Sequence, residues 1–559
     1  MSRRLKIVAP KLLDRIRYGQ SSLQNQVIDE LLAGRLDRRA FLQHGSRLGL
    51  SLAVMSGTLG AVGLGGARRA LAQGAPGATI RVAEITPSGR IDPVTVADQG
   101  GLLPLQLVGD FLVMDGPDLV LRPMLATEWS ASEDGTVWTF KLREGVKFHD
   151  GSTMSADDVV ASIKRLADPA NGSNALSAFK GVLSPDGIRK VDDLTVEFTL
   201  EAPNGNFPYY LSTDNYNAII VPADTDTAAF EETMIATGPF KRESYTPKVG
   251  ATYVRNEDYW AGPALPARIE LSFYDDLQPQ VLGLLGGQID VIQQVNVQGA
   301  RPLLDNPAAK ILRLKANTHR QVHMKTQSGP FADKRVRQAM ALTIDRQKLV
   351  DGLFQGMASL GNDSPFAPVF PSTDESVPQR ERDIEKAKAL MAEAGASGGI
   401  NVTLTTMQMQ ELPTLATLLK NFGAEIGINI DLKIEDVGAY YGDAVPGKSD
   451  WLDSEFGITD YGHRGTPNVF LSAPLLSTGT WNAAEFKNAE YDGLVADYIA
   501  AVDPATQKEL AGKIQTLLLN ETPIIFPYFY DYLSATGPTV EGVETTAMGQ
   551  IFLNQATKA

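Results

Sequence analysis

Short β-rich runs alternate with segments of helical period along almost the whole chain after residue 78, and this alternation is what most narrows the possible folds. TIRVAE from Thr79, VWTFKL from Val137, LTVEFTL from Leu194 and IELSFY from Ile269 have strand length and strand composition. SADDVVASIKRL opens on Ser155, whose hydroxyl suits an N-cap. Asp157 and Asp158 follow in the first turn, where the helix dipole favours anions. Asp345 holds the same place before RQKLVDGLF, and DIEKAKALMAEAG runs from Asp383 to a stop at Gly395. Trp129, Trp138 and Phe140 are predicted core residues. The pattern predicts a mixed α/β protein, and 559 residues are enough for more than one core.

The segment ahead of this body differs in kind. Of the 51 Lys/Arg and 66 Asp/Glu in the chain, 12 and 4 precede Gln73, which leaves 39 and 62 and a net charge of −23 for the remainder. LDRRAFLQ at 36–43 holds an arginine pair and is followed by twenty uncharged residues, 48–67, six of them glycine. Arg68, Arg69 and the small triplet Ala70-Leu71-Ala72 come next. The order resembles a twin-arginine export signal cleaved after Ala72. A membrane anchor is the rival reading, because the run is just long enough to span, but its glycines and small-residue exit favour export. LQNQVIDELLAGRL from Leu23 has helical apolar spacing. No later stretch is apolar enough to cross a bilayer, so the processed protein is expected to be soluble in the periplasm.

Composition removes several kinds of chemistry. An acidic body of this charge does not bind nucleic acid through phosphate neutralisation. The chain has no cysteine, hence no disulfide, thiolate metal site or Cys nucleophile. No nucleophile elbow or phosphate loop is present, and the GLGG at Gly63 lies in the signal segment without a preceding strand. Asp157-Asp158 and Asp275-Asp276 are read as helix-start or solvated carboxylates. Of five histidines, His319 and His323 form HRQVH. On a helix they would share a face, but their surroundings are strand-like, and four residues of strand separate them by about 13 Å, too far to share an ion. A structural or pocket-lining role is expected for them.

TDYGHRGTPNVF at 459–470 gathers Asp, Tyr, His and Arg between glycines and a proline, after the strand-like WLDSEFGI from Trp451. It is expected to be a loop leaving a strand, a common place for ligand contacts. Arg464 would clamp a carboxylate or phosphate if turned inward, or pin the loop if turned outward. His463 would donate to a ligand, stack on it, or hold the loop.

Several segments taken in order resemble one family. LRPMLATEWSASEDGTVWTFKLREGVKFHDGSTMSADDVVASIKRL at 121–166, ATGPFKRESYTPKVGATYVRNEDYW at 236–260, GGQIDVI from Gly286, PFADKRVRQAMALTIDRQKLV from Pro330, EKAKALMAEAG from Glu385 and NAEYDGLV from Asn488 are similar to the extracellular solute-binding proteins of peptide/nickel-type ABC importers, family 5. In PFADKRVRQAM, Arg335 and Arg337 would tie a loop to a helix start.

The resemblance implies a periplasmic-binding-protein-like bilobal α/β fold with hinged lobes and a central ligand cleft. Residues 1–72 would be the signal. Residues 73–115, 236–317 and 522–559 would form a discontinuous first lobe, 116–235 an insertion in it, and 318–521 the second lobe. It further implies a monomer that performs no covalent reaction and needs no cofactor. The protein would deliver a short peptide or an amine-bearing solute, such as an opine or modified amino acid, to a permease and ATPase complex in the inner membrane. In peptide receptors of this family the corresponding loop begins with Asp and an aromatic residue, so the resemblance makes Asp460 the partner of a ligand ammonium beside Tyr461. Gly462-His463-Arg464 stands where those receptors commonly carry a second acid and a proline. Trp481 would offer an apolar wall and Asn482 a two-way hydrogen-bonding group, and Asn362 and Asp363 would enter the cleft. For these four the alternative is a loop residue satisfying its own backbone. Two rival functions are a nickel or metallophore receptor of the same fold, and a periplasmic hydrolase using Asp460 and His463.

Overall fold

The computed structural model describes residues 22–33, 36, 41, 58 and 77–559. The twin-arginine pair, most of the uncharged run, the GLGG and the cleavage triplet lie outside them. The chain divides into two compact units, one of Met1–Ala78 with Thr557–Ala559 and one of Thr79–Ala556. In the first, the helix expected from Leu23 spans Ser22–Leu32, with Ile28 and Leu31 buried. No described helix is long and apolar enough to cross a membrane.

The larger unit begins with strand β1 (Thr79–Ile85), followed by the hairpin β2 (Val113–Asp115) and β3 (Leu121–Pro123). A four-stranded antiparallel sheet comes next, built from β4 (Ala126–Ala131), β5 (Val137–Leu142), β6 (Ile188–Asp192) and β7 (Thr195–Thr199) in the order β4-β5-β7-β6. Then follow β8 (Phe240–Thr246), β9 (Gly250–Arg255), β10 (Arg268–Tyr274), β11 (Val291–Val295), β12 (Lys310–Met324), β13 (Ala358–Leu360), β14 (Ile400–Met407), β15 (Ile428–Glu435), β16 (Phe456–Tyr461), β17 (Ile524–Ile525) and β18 (Tyr528–Thr536). With β1 these make one twelve-stranded sheet whose main path is β15-β14-β16-β12-β18-β11-β1-β10-β9-β8.

The predicted local features are present. Ser155 caps Ala156–Ala167 in a full capping box, its hydroxyl facing the first-turn amides while the Asp158 carboxylate returns to the Ser155 N–H. Asp345 and Asp383 cap Arg346–Phe354 and Ile384–Glu393, and Gly395 follows with φ 72°. Trp138 and Phe140 are buried, and Trp129 packs on them from a half-buried position. Arg337 donates to the carbonyls of Phe331, Ala332, Glu521 and Thr522, binding the start of Lys334–Thr343 to the far end of the long helix Pro504–Glu521.

Two large apolar cores lie on the path. One runs through β1, the four-stranded sheet and β8–β10, and the other through the C-terminal half of β12, β14–β17 and the helices between. The second core extends to Phe529, past the expected boundary at 521, because β17 and the start of β18 pair into its sheet. A smaller cluster gathers Val281, Leu284, Ile292, Leu533 and Ala535.

β12 and β18 run antiparallel from the second core to the smaller cluster. At one end Leu533 and Thr536 of β18 meet β11, and at the other His319 to Met324 of β12 meet β16. Between Leu314 and Thr318 the β12–β18 register shifts, with Leu314 opposite Tyr532 and Thr318 opposite Tyr530, which leaves two extra residues on β12. A bulge of this kind bends and twists a strand locally. It sits in this pair of strands where they pass from the second core to the smaller cluster.

Candidate functional site

β16 lies between β12 and β14, and its residues Phe456 to Thr459 are buried. A central strand covered on both faces shows continuous burial rather than alternation. The amphipathic strand expected from Trp451 is therefore corrected. Trp451 belongs to the short helix Asp450–Asp453, and the strand begins at Phe456.

Asp460 is the last residue of that strand but one, and its antiparallel partner on β12 is Arg320. The Arg320 side chain is wholly buried. Nε donates to Glu411 Oε1 at 2.7 Å, Nη2 to Glu411 Oε2 at 3.1 Å and to Gln410 Oε1 at 2.7 Å, and Nη1 to the Tyr530 hydroxyl at 3.1 Å. Gln410 takes the left-handed backbone region, φ 45°, and Glu411 stands at the N-cap position of Leu412–Ala424. Strain of that kind gathers at sites where surrounding bonds hold it. Arg320 Nη1 is 3.9 Å from Asp460 Oδ2, while Asp460 Oδ1 accepts from the Tyr441 hydroxyl at 2.6 Å. Its side chain is 31% exposed, and among the described residues nothing donates a hydrogen bond to Oδ2.

A cavity of about 190 Å³ opens beside this cluster. Gln294 to Gln298 close it on the side of β11, Gln410, Glu411, Gly462 and His463 on the side of β16, and Tyr530 to Leu533 of β18 form its base. The wall is rich in amides and hydroxyls, and its two carboxylates are neutralised, Glu411 by Arg320 and Asp531 by Arg313 and Lys315.

His463 is the one residue among the eight sequence candidates that lines this cavity, and Asp460 stands next to its wall. Tyr461 is 8% exposed and belongs to the second core, stacked on His319 at 5.6 Å with Phe470 and Trp481 edge-on. Trp481 packs between Tyr461 and Trp451.

Arg464 does not line this cavity. Nη1 donates to the His463 carbonyl at 2.7 Å, and its charge acts on Asp214 and Tyr216, which lie in the segment between β7 and β8. Burial, and then the neighbouring Asp115, push the Asp214 carboxyl up to about 7, while Arg464 opposes the shift. The next residue, Gly465, donates its N–H to Asp214 Oδ1 at 2.5 Å. A Cβ there would stand 2.8 Å from Asp214 Cγ and 2.8 Å from Tyr209 Cδ1. Gly465→Ala is expected to lower stability by about 1–3 kcal/mol, as forced overpacking does, read as a fall in melting temperature. An unchanged melting temperature would show that this contact yields freely.

Three further candidates are corrected, because their polar atoms are already used. Asp363 is fully buried between Arg346 at 2.6 Å and Arg380 at 2.8 Å and accepts the Phe526 N–H. Asn362 bridges the Pro378 carbonyl and the Arg380 N–H, and Asn482 bonds the Leu476 carbonyl and both main-chain groups of Phe486. The histidine pair is structural. On β12 the His319 Nδ1 donates to the Asn317 carbonyl at 2.7 Å and the His323 Nε2 to the Ser454 carbonyl at 3.1 Å. Burial pushes the two rings down to about 3 and about 4.

Sequence reasoning singled out HRQVH for its histidines and missed the arginine between them. The available signal was an Arg in a run whose neighbours all read as buried strand, since such a group requires a carboxylate partner. Asn317 and Tyr530 join the site through β12 and β18, and Gln410 and Glu411 through the turn after β14, and none of the four carries a local signal.

Known proteins agree with this architecture. The description "bacterial extracellular solute-binding proteins, family 5 Middle" fits residues 120–477. Heme-binding protein A of Haemophilus influenzae is 28% identical over 458 residues, covering 77% of this chain and 82% of its own. The dipeptide-binding protein DppE of Bacillus subtilis is 25% identical over 489 residues, covering 81% and 87%. Among solved structures, HbpA2 from Haemophilus parasuis superposes with a TM-score of 0.76 at 24% identity, over 86% of this chain and all of that one. With a sheet shared by two cores, a polar cavity between its halves and a family match across most of its length, this chain belongs to the bacterial extracellular solute-binding proteins, family 5, the ligand-capturing components of ABC importers.

Proposed function

We propose that this protein captures a small amine-bearing solute, a short peptide or a modified amino acid, in the cavity between its two cores. It hands that solute as a monomer to a permease and ATPase in the inner membrane. The observation that carries the reading is Asp460, a part-exposed carboxylate at the edge of the cavity with one oxygen that accepts no hydrogen bond among the described residues. An ammonium placed there would make a charge-assisted hydrogen bond while Tyr441 holds the other oxygen. The two cores act as the lobes, and β12 and β18, with the bulge between Leu314 and Thr318, act as the hinge on which they close. An enclosed volume of about 190 Å³ suits a small solute, being below the roughly 300–1,000 Å³ of pockets for drug-sized ligands. The signal before Gln73 would take the chain to the periplasm and be removed there.

Relatives named for heme set a rival, as does the nickel reading drawn from sequence. The described histidines are all largely buried, and among the described residues no group of three or more His, Asp or Glu is placed to hold a metal ion. Titration calorimetry with L-alanyl-L-alanine, hemin and nickel–histidine separates the three. Saturable one-to-one binding of the dipeptide is expected. Binding of hemin or nickel–histidine with no response to the dipeptide would overturn the amine reading.

A further inference from the structure

The loop after β16 carries a buried polar atom that has no hydrogen-bond partner among the described residues. His463 is 4% exposed, and its Nδ1 accepts the main-chain N–H of Asn317 at 3.2 Å, so the ring proton resides on Nε2. Among the described residues Nε2 has no hydrogen-bond partner, and His463 is one of the residues lining the cavity. Burial, aided by the charge of Arg464, pushes this imidazole down to about 3, so it stays a neutral donor at any pH the periplasm meets.

The donor is also held in place. Asn317 lies in the β12 bulge, two residues before the last ladder pair of His319 with Tyr461, which sets it opposite His463. Its side chain receives the Arg464 N–H at 2.9 Å and donates to the Arg464 carbonyl at 2.6 Å, so both sides of the loop are fixed. Asp531, which also lines the cavity, has a buried Oδ1 that among the described residues accepts no hydrogen bond and lies 3.7 Å from Lys315 Nζ. A buried donor without a partner is costly, and one held in the wall of a cavity is satisfied when a ligand oxygen reaches it.

We propose that His463 is a specificity-determining contact, whose Nε2–H takes a carbonyl or carboxylate oxygen of the solute, and that Asn317 is the positioning residue that fixes its tautomer. The cavity then selects solutes carrying an acceptor oxygen as well as an amine, a peptide or amino-acid derivative rather than a simple diamine. This rests on the reading of the cavity as an amine-solute site.

The test compares L-alanyl-L-alanine with 1,4-diaminobutane by calorimetry on the full chain. The wild type is expected to bind the dipeptide at least tenfold more tightly than the diamine. His463→Phe should lose at least tenfold in dipeptide affinity, and His463→Gln, which keeps an N–H donor at similar reach, should recover most of it. Nitrogen-15 spectra of the wild type give a second readout that needs no variant. The Nε2–H signal of His463 should shift when the dipeptide saturates the site. Equal dipeptide affinity in wild type and His463→Phe, or an unmoved Nε2–H signal at saturation, overturns the role of His463 and leaves the amine reading standing. A wild type that takes neither probe defeats the amine reading, and this inference falls with it.

Discussion

Arg320→Met is expected to destabilise the protein by about 3–5 kcal/mol, the usual cost of removing one partner from a buried ion pair. The substitution keeps much of the side-chain volume but leaves Glu411, 6% exposed, with the Tyr528 hydroxyl as its remaining donor at 3.0 Å. It also takes the partners from Gln410 Oε1 and the Tyr530 hydroxyl, and the contact of the guanidinium over the Tyr530 ring at 4.8 Å. Pairing it with Glu411→Leu removes the stranded charge, so the double variant should regain a large part of the loss. Urea midpoints measured for both variants check the expectation. A loss below about 1 kcal/mol in Arg320→Met would mean that Glu411 finds water or a proton at no cost, and the cluster would not be the rigid support described here.

Asp460→Ala should act almost wholly on binding. The carboxylate is part-exposed, and the Tyr441 hydroxyl it leaves still has Thr459 Oγ1 at 3.2 Å, so the unliganded melting temperature should barely change. A buried ammonium left without its anion costs about 2–5 kcal/mol, which corresponds to roughly 30- to 4,000-fold in affinity. Calorimetry with L-alanyl-L-alanine reads this directly. Retained affinity would remove Asp460 as the anchor and turn attention to Asp531 or Glu411 on the cavity wall. The 3.9 Å approach of Arg320 limits what Asp460 offers, since part of its field is already answered by that cation. The arrangement therefore favours a ligand that brings its own carboxylate or carbonyl over a bare cation.

The features legible in the sequence were the local ones. Ser155 with Asp157 and Asp158 announced a helix start because a cap is decided within four residues, and the strands at Thr79, Val137 and Ile269 stand where their composition placed them. Family resemblance added the bilobal α/β fold class and pointed to the loop at Asp460. The direction of each side chain in that loop was not legible. His463 lines the cavity and Arg464 does not, and Asn317, 146 and 147 positions earlier in the chain, holds the loop through one ring nitrogen of His463 and both main-chain groups of Arg464. Asn362, Asp363 and Asn482 are candidates by their position in the family, and each holds its loop together. A polar loop residue has two such uses, and only the three-dimensional positions of its neighbours decide between them.

Native mass spectrometry of the protein isolated from the periplasm of its own host tests the central claim most directly, since it identifies whatever solute the cavity has captured. One noncovalent small molecule per chain is expected, carrying a primary or secondary amine together with a carbonyl or carboxylate oxygen, and it should be absent from Asp460→Ala. A porphyrin, a metal chelate or a solute without an amine in that position would contradict the account.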